Sequence, residues 1–194
     1  MSDTFGDLLG ELAARGTDYL EPGRAERFLN RGYQMLCEEY PFDFLKKTVT
    51  AQAAPLTISD LREIVYVADA TSAAELFELD ERRVSELDPD GTETGTAAYW
   101  YLLGDTLYTY PTDTAARLTV RYVYVPPEMT TASDEPVVPQ RYRNLITDAA
   151  YYLALKDNDE FDAAGALKGL YDAEVLRMIL RLGNRSLQAP RQIA

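Results

Sequence analysis

The sequence contains no histidine and a single cysteine, Cys37, in 194 residues. Without histidine, a Ser-His-Asp triad, a Cys-His dyad and any His-ligated metal are excluded. One cysteine excludes an internal disulfide and a Cys-rich zinc site. No apolar run approaches the roughly 18 residues of a membrane span. Gly-rich phosphate loops of the dinucleotide or P-loop type are missing. The start, Met1-Ser2-Asp3-Thr4, lacks the basic and apolar regions of a signal peptide, so a cytoplasmic origin is expected. Without such a signal, the sequon Asn184-Arg185-Ser186 reads as coincidence. Positive charge is also scarce: 19 Lys+Arg stand against 32 Asp+Glu, a formal charge of −13. That balance argues against a surface built to neutralise DNA phosphates. What remains is 46% hydrophobic residues, enough for a core, in a length that fits one domain or one domain with a sizeable insertion.

The ends of the chain read as helix and the middle as strand. Thr4 and Asp7 form a weakened capping box before Leu8, Leu9 and Leu12, and Gly16 can end that helix. A second helix runs from about Pro22 to Tyr40, with Phe28, Leu29, Tyr33, Leu36, Cys37 and Tyr40 on one face. Pro41 closes it, and Phe42, Phe44 and Leu45 follow as an apolar knot. From about Lys46 to Val125 the period changes to two. Strands are expected at Thr48–Thr50, Arg62–Ala68, Tyr99–Leu103, Thr106–Tyr110 and Arg117–Val125, mostly antiparallel. Gly104-Asp105 predicts a tight Gly-first hairpin turn. A short helix at Asp80–Leu87 and a turn at Asp88-Pro89-Asp90-Gly91 lie between. Residues 126–139, rich in Pro, Thr, Asp and Glu, read as a linker. Helix then resumes with Tyr142, Leu145, Ile146, Ala149 and Leu153 in a stripe. Asp157-Asn158-Asp159 breaks it and is expected to cap the last helix. That helix carries Ala164, Leu167, Tyr171, Val175, Met178 and Leu182 on one face. Leu170, Leu176, Ile179 and Leu180 spill onto others, so part of it is expected to pack on something beyond its own bundle. The fold class that follows is α+β: a helical bundle of residues 1–45 and 138–194, with a β-rich insertion at 46–137.

Carboxylates are the only catalytic groups left. The densest cluster, Asp157-Asn158-Asp159-Glu160 with Asp162, fails the calcium-loop pattern because Phe161 stands where that loop needs an acid or amide and Asp162 where it needs glycine. Helix capping accounts for it better. No spacing selects a glycosidase-like pair. Cys37 lies on an apolar stripe, which reads as a buried thiol rather than a nucleophile. No metal or cofactor is expected. Seven aromatics, Tyr99, Trp100, Tyr101, Tyr108, Tyr110, Tyr122 and Tyr124, fall within what reads as one short sheet. They are either a β-core with partly exposed tyrosines or a protein-binding face. Charge is uneven: residues 1–174 carry −17 and residues 175–194 carry +4. The acid-free end reads as a solvated tail or as an arm that docks on an acidic partner.

Three stretches in this order resemble a known family. The first is Phe28-Leu29-Asn30-Arg31-Gly32-Tyr33, followed by Tyr40-Pro41-Phe42-Asp43-Phe44-Leu45. The second is Tyr99-Trp100-Tyr101, Gly104-Asp105-Thr106-Leu107, Tyr110-Pro111 and Leu118-Thr119-Val120-Arg121-Tyr122. The third is Val138-Pro139-Gln140-Arg141-Tyr142, with Leu145-Ile146 and Ala149-Ala150. Together they resemble the head-to-tail adaptor (connector) proteins of tailed bacteriophages, the tail tubular protein A group included. The resemblance implies a non-enzymatic virion protein at the head–tail junction that spends assembly in the host cytoplasm. It implies a homo-oligomeric ring, most often dodecameric, below the portal protein. Such a ring extends the DNA channel without binding DNA specifically, and carries the next neck or tail protein. It places portal contact on the C-terminal helix and tail, here Arg177, Met178, Arg181, Leu182, Arg185 and Arg191. The seven aromatics would then meet a neighbouring subunit or the next component. The competing readings are a small acidic carboxylate-dependent enzyme and a non-viral protein-binding module.

Overall fold

A computed structural model describes residues 3–17 and 20–183. Among them are five α-helices: α1 (Phe5–Leu12), α2 (Pro22–Glu38), α3 (Glu81–Leu87), α4 (Asn144–Asp157) and α5 (Phe161–Gly183). Eight strands lie between α2 and α4: β1 (Lys46–Ala53), β2 (Leu56–Thr57), β3 (Leu61–Asp69), β4 (Ala74–Glu75), β5 (Phe77–Glu78), β6 (Tyr99–Leu103), β7 (Thr106–Tyr110) and β8 (Arg117–Tyr124). The fold is α+β. The chain divides into two compact units, one made of its two ends up to Leu45 and from Pro126, the other of Lys46–Val125.

In the helical unit, α4 is the central element and touches α1, α2 and α5. Its buried residues run from Leu145 and Ile146 through Ala149 and Ala150 to Leu153, Ala154 and Leu155, so more than one face is covered. Small alanines let neighbours approach. At Gly32 of α2, a Cβ would stand 2.8 Å from the backbone nitrogen of Ala150 and 2.8 Å from the carbonyl oxygen of Ile146. Only glycine fits that crossing. Leu29 and Leu36 are fully buried on either side of it, with Tyr33 and Cys37 beside them. Helix α1 starts with a complete capping box: the Thr4 N–H donates to Asp7 Oδ2 and the Asp7 N–H to Thr4 Oγ1, at 3.0 and 3.3 Å. Gly16, at φ 87°, turns the chain out of it.

Residues 126–139 are a strap on this unit rather than a free linker. Asn30 of α2 holds both backbone polar groups of Met129: its amide N–H donates to the Met129 carbonyl and its amide oxygen accepts the Met129 N–H, each at 2.9 Å. The Val137 N–H donates to Tyr33 Oη at 3.1 Å. Arg143, largely buried, donates to the carbonyls of Val138, Pro136 and Asp3. The Phe5 and Gly6 N–H groups, unsatisfied within α1, donate to Asp134 and Ala132. Within the strap, Asp134 accepts from the Thr131 hydroxyl and the N–H groups of Thr131 and Thr130, which hold its carboxyl at about 2. Polar side chains thus satisfy the strap's backbone, and its own Met129 and Val138 are buried. The β region accordingly ends at Val125, not at residue 137.

The β unit holds two four-stranded sheets, ordered β1-β8-β3-β4 and β2-β7-β6-β5. All pairings are antiparallel except β5 with β6. The hairpin β6–β7 turns at Gly104, with φ 61°, and pairs Leu103 with Thr106. The aromatics therefore do not share one sheet: Tyr99 to Tyr110 belong to the second, Tyr122 and Tyr124 to the first. The chain leaves β7 at Pro111, which has no N–H to continue the ladder. Asp113 then organises the crossing, accepting the N–H groups of Ala115, Ala116 and Ala97 at 2.9, 3.2 and 3.3 Å. The three strands not legible as such, β2, β4 and β5, have two residues each, too short for a period.

Asp69, at the end of β3, is 2% exposed. It accepts the N–H groups of Thr71 and Ser72 at 3.0 Å, the Ser72 hydroxyl at 2.6 Å and the Arg117 N–H at 2.9 Å. One carboxylate thereby fixes the turn after β3 and the start of β8. Burial opposes its charge, but these donors outweigh burial and hold it well below the usual carboxylate range.

Candidate interaction surfaces

The residues expected to meet the portal divide on α5. Its inward row is Ala164, Tyr171, Val175 and Met178. Met178 is fully buried and three residues from Val175, so it is a core residue of the bundle and not a docking contact. Arg177 and Arg181 are exposed, Arg177 paired with Glu174 three residues earlier, and Leu182 is half-buried. Arg185 and Arg191 lie outside the described residues. A second row faces outward: Gly165, Gly169, Ala173, Leu176 and Leu180, with Leu170 beside it. Leu170, Leu176 and Leu180 are 68, 57 and 56% exposed. A Cβ at Gly165 or Gly169 would meet nothing within 4 Å. Burial of a leucine side chain stabilises by about 1.5–3 kcal/mol, and this row leaves that gain unused.

The seven aromatics also divide. Trp100, Tyr110, Tyr122 and Tyr124 are buried. Tyr110 donates its hydroxyl to Glu93, which together with burial pushes it up to about 12. Burial, and then the hydrogen bond to Asp60 at 3.0 Å, pushes Tyr122 up to about 12. Lys47 Nζ lies 3.8 Å from the centre of the Tyr124 ring. These four are core and hydrogen-bonding residues, not a binding face. Tyr99, Tyr101 and Tyr108 are left partly accessible, the last two stacked at 5.4 Å.

A third surface was not singled out from sequence. On the helical unit, three adjoining hollows of about 370, 420 and 270 Å³ all share Arg31. Around them stand Arg24 and Arg27 of α2, Lys156 of α4 and Lys168 of α5, over Phe28 and Leu153. Two acids, Asp157 and Glu38, line the same groove. The signal was present in part: Arg24, Arg27 and Arg31 recur at three and four residues, which places them on one helix face. The lysines come from more than 120 residues away, so only the fold adds them.

The acidic stretches at residues 157–160 and 88–91 contain turns. Asp159 has φ 60° and ends α4: its N–H donates to Lys156 and the Glu160 N–H to Leu155, a Schellman pattern. It therefore caps the preceding helix and not the next one. Asp88 accepts the N–H groups of Thr92 and Glu93 at 3.0 and 2.9 Å and closes its turn. Among the described residues, no group of three or more His, Cys, Asp or Glu is placed to hold a metal ion, and no helix is long and apolar enough to cross a membrane. Cys37 is buried. A comparison with family models gives a match to the model described as SU10 adaptor protein, over residues 3–194. No curated protein matches the chain.

Proposed function

The chain belongs to the SU10 adaptor protein family, a family of bacteriophage structural adaptors, and from that premise we propose that it works at the head–tail junction of the virion as a ring below the portal. The ring extends the DNA channel and offers a platform to the next neck or tail protein. The observation that carries this reading is the family match across nearly the whole chain, both units included. The outward apolar row of α5 supports it, because that row has no cover among the described residues and a portal or neighbouring subunit would supply one. The acid-free end supplies the arm that reaches the portal, with the exposed Arg177 and Arg181 and then Arg185 and Arg191 as its charges, while Val175 and Met178 stay in the bundle. A ring of twelve such chains would sum to about −156, from −13 each, so DNA would pass without adhering.

Removing residues 183–194 tests the arm. The shortened chain is expected to keep its helical and Trp100 signals and to lose co-sedimentation with the portal. Undiminished co-sedimentation would overturn the assignment.

A further inference from the structure

The groove on α2 and α4 has a counterpart on the same chain. From Glu75 to Glu93 there are eight acids and two arginines. Both arginines are held locally, Arg82 and Arg83 by Glu86 of α3 at 3.5 and 2.9 Å. The side-chain carboxylates of Glu75, Glu78, Glu81 and Asp90 make no hydrogen bond or ion pair among the described residues, and all four residues are exposed. The same stretch leaves Phe77 64% and Leu87 48% exposed. The groove shows the inverse. The side-chain charges of Arg31 and Lys156 are exposed and likewise make no hydrogen bond or ion pair among the described residues, above Phe28 and Leu153.

We propose that this groove receives the acidic Glu75–Glu93 edge of a second copy of the chain. The inference rests on the self-assembly proposed above and names the contact that would sustain it. Chains of charge −13 repel one another when packed side by side. A local contact of opposite sign offsets that repulsion and fixes the register of the neighbours. The exposed Phe77 and Leu87 on one side and the half-buried Phe28 on the other add burial that ion pairs alone do not supply. The two surfaces are different, so the contact can run head-to-tail from copy to copy. Such contacts propagate and close into rings, whereas a twofold contact stops at a dimer. A nucleic acid is the weaker occupant. Asp157 and Glu38 line the groove, and the chain's net field repels phosphates.

Charge reversal in the full-length protein tests the contact. One variant carries Arg27→Glu with Arg31→Glu, a second Glu78→Lys with Glu81→Lys, and a third all four. Assembly is read by sedimentation in the presence of the portal, at low and moderate salt. Helical circular dichroism and Trp100 fluorescence check that each variant is folded. Each double variant is expected to weaken self-association at least tenfold, the fourfold variant to recover most of it, and salt to weaken the wild type. Folded double variants that assemble like the wild type would overturn the contact and leave the ring reading standing. Failure of the fourfold variant to recover would overturn the pairing. Rings that stay intact while the Arg27/Arg31 variant loses DNA or portal binding would assign the groove to that other partner and overturn the proposal. A wild type that stays monomeric with portal present would overturn the ring reading itself.

Discussion

At Gly32 the helical unit closes on itself with no space for one methyl group, while at Asp69 the β unit closes through four hydrogen bonds to one carboxylate. The helical unit buries aliphatic side chains along α4 and needs small residues where helices cross. The β unit has short strands and long connections. It relies on Asp69 and Asp113 to satisfy the backbone where the ladders stop, and on Asp60 to tie Lys47 of β1 to Tyr122 of β8. The contrast teaches that one unit is sensitive to volume and the other to protonation. It also supplies its own probes. Trp100 is the only tryptophan and reports on the β unit, while the far-UV helix signal comes chiefly from the other.

The largest expected effect comes from Gly32→Ala. A Cβ in contact with backbone atoms forces the helices apart, and overpacking of this kind costs about 1–3 kcal/mol. Alanine's better helix propensity offsets part of it, about 1 kcal/mol. The thermal midpoint of the helix signal should fall while that of Trp100 fluorescence holds. Equal falls in both would erase the contrast.

Next comes acid. A carboxyl held low in the folded state contributes stability that is fully present above its unfolded value near 3.9 and is lost as pH falls through its folded value. Asp69 is held low by its four donors. Burial raises Asp60, but its bonds to Lys47 and Tyr122 outweigh burial and hold it low as well. The Trp100 midpoint should therefore fall as pH drops below about 4. An Asp69→Ala variant should start from a lower midpoint at neutral pH and show a shallower acid dependence. An unchanged slope would remove Asp69 as the cause. The helical unit has its own low carboxyl at Asp134, at about 2, but its donors are confined to the exposed Thr130–Thr131 turn of the strap. Its titration should loosen that turn and leave the Gly32 crossing in place.

Several features were legible from sequence because their cause is local. The spacing of Leu29, Tyr33 and Leu36, the Thr4–Asp7 box, the Asp80 cap and the Gly104 hairpin all act within a turn or two of the chain. The strap was misread for the opposite reason. Its composition is that of a linker, and the groups that hold it, Asn30, Tyr33 and Arg143, sit on helices that composition does not consult. Met178 is a core residue within the portal-contact set because the resemblance assigns the end of α5 as one stretch, whereas the spacing already puts Met178 on the face it shares with Tyr171 and Val175. Four of the seven aromatics failed as a surface because strand aromatics first fill the core. The basic groove was missed because its charges join only in three dimensions.

The smallest expected effect concerns Asp159. An aspartate at φ 60° occupies the position where glycine is strain-free. Asp159→Gly should stabilise the helical unit by about 1 kcal/mol or less, seen as a small rise in the helix-signal midpoint with no change at Trp100. A fall would mean that the Asp159 carboxylate holds the α4–α5 corner in another way.

The strap also sets an order of events on the ribosome. Asn30 waits for Met129, 99 residues later, and Tyr33 waits for Val137, 104 residues later. At about 5–20 residues per second, that interval is on the order of 5–20 seconds. Throughout it, the apolar side of α2 has neither strap nor α4 to cover it. The whole β unit emerges in the same interval and can close first. Newborn chains therefore pass through a stage with a finished middle and open ends, the stage at which aggregation or chaperone capture would concentrate.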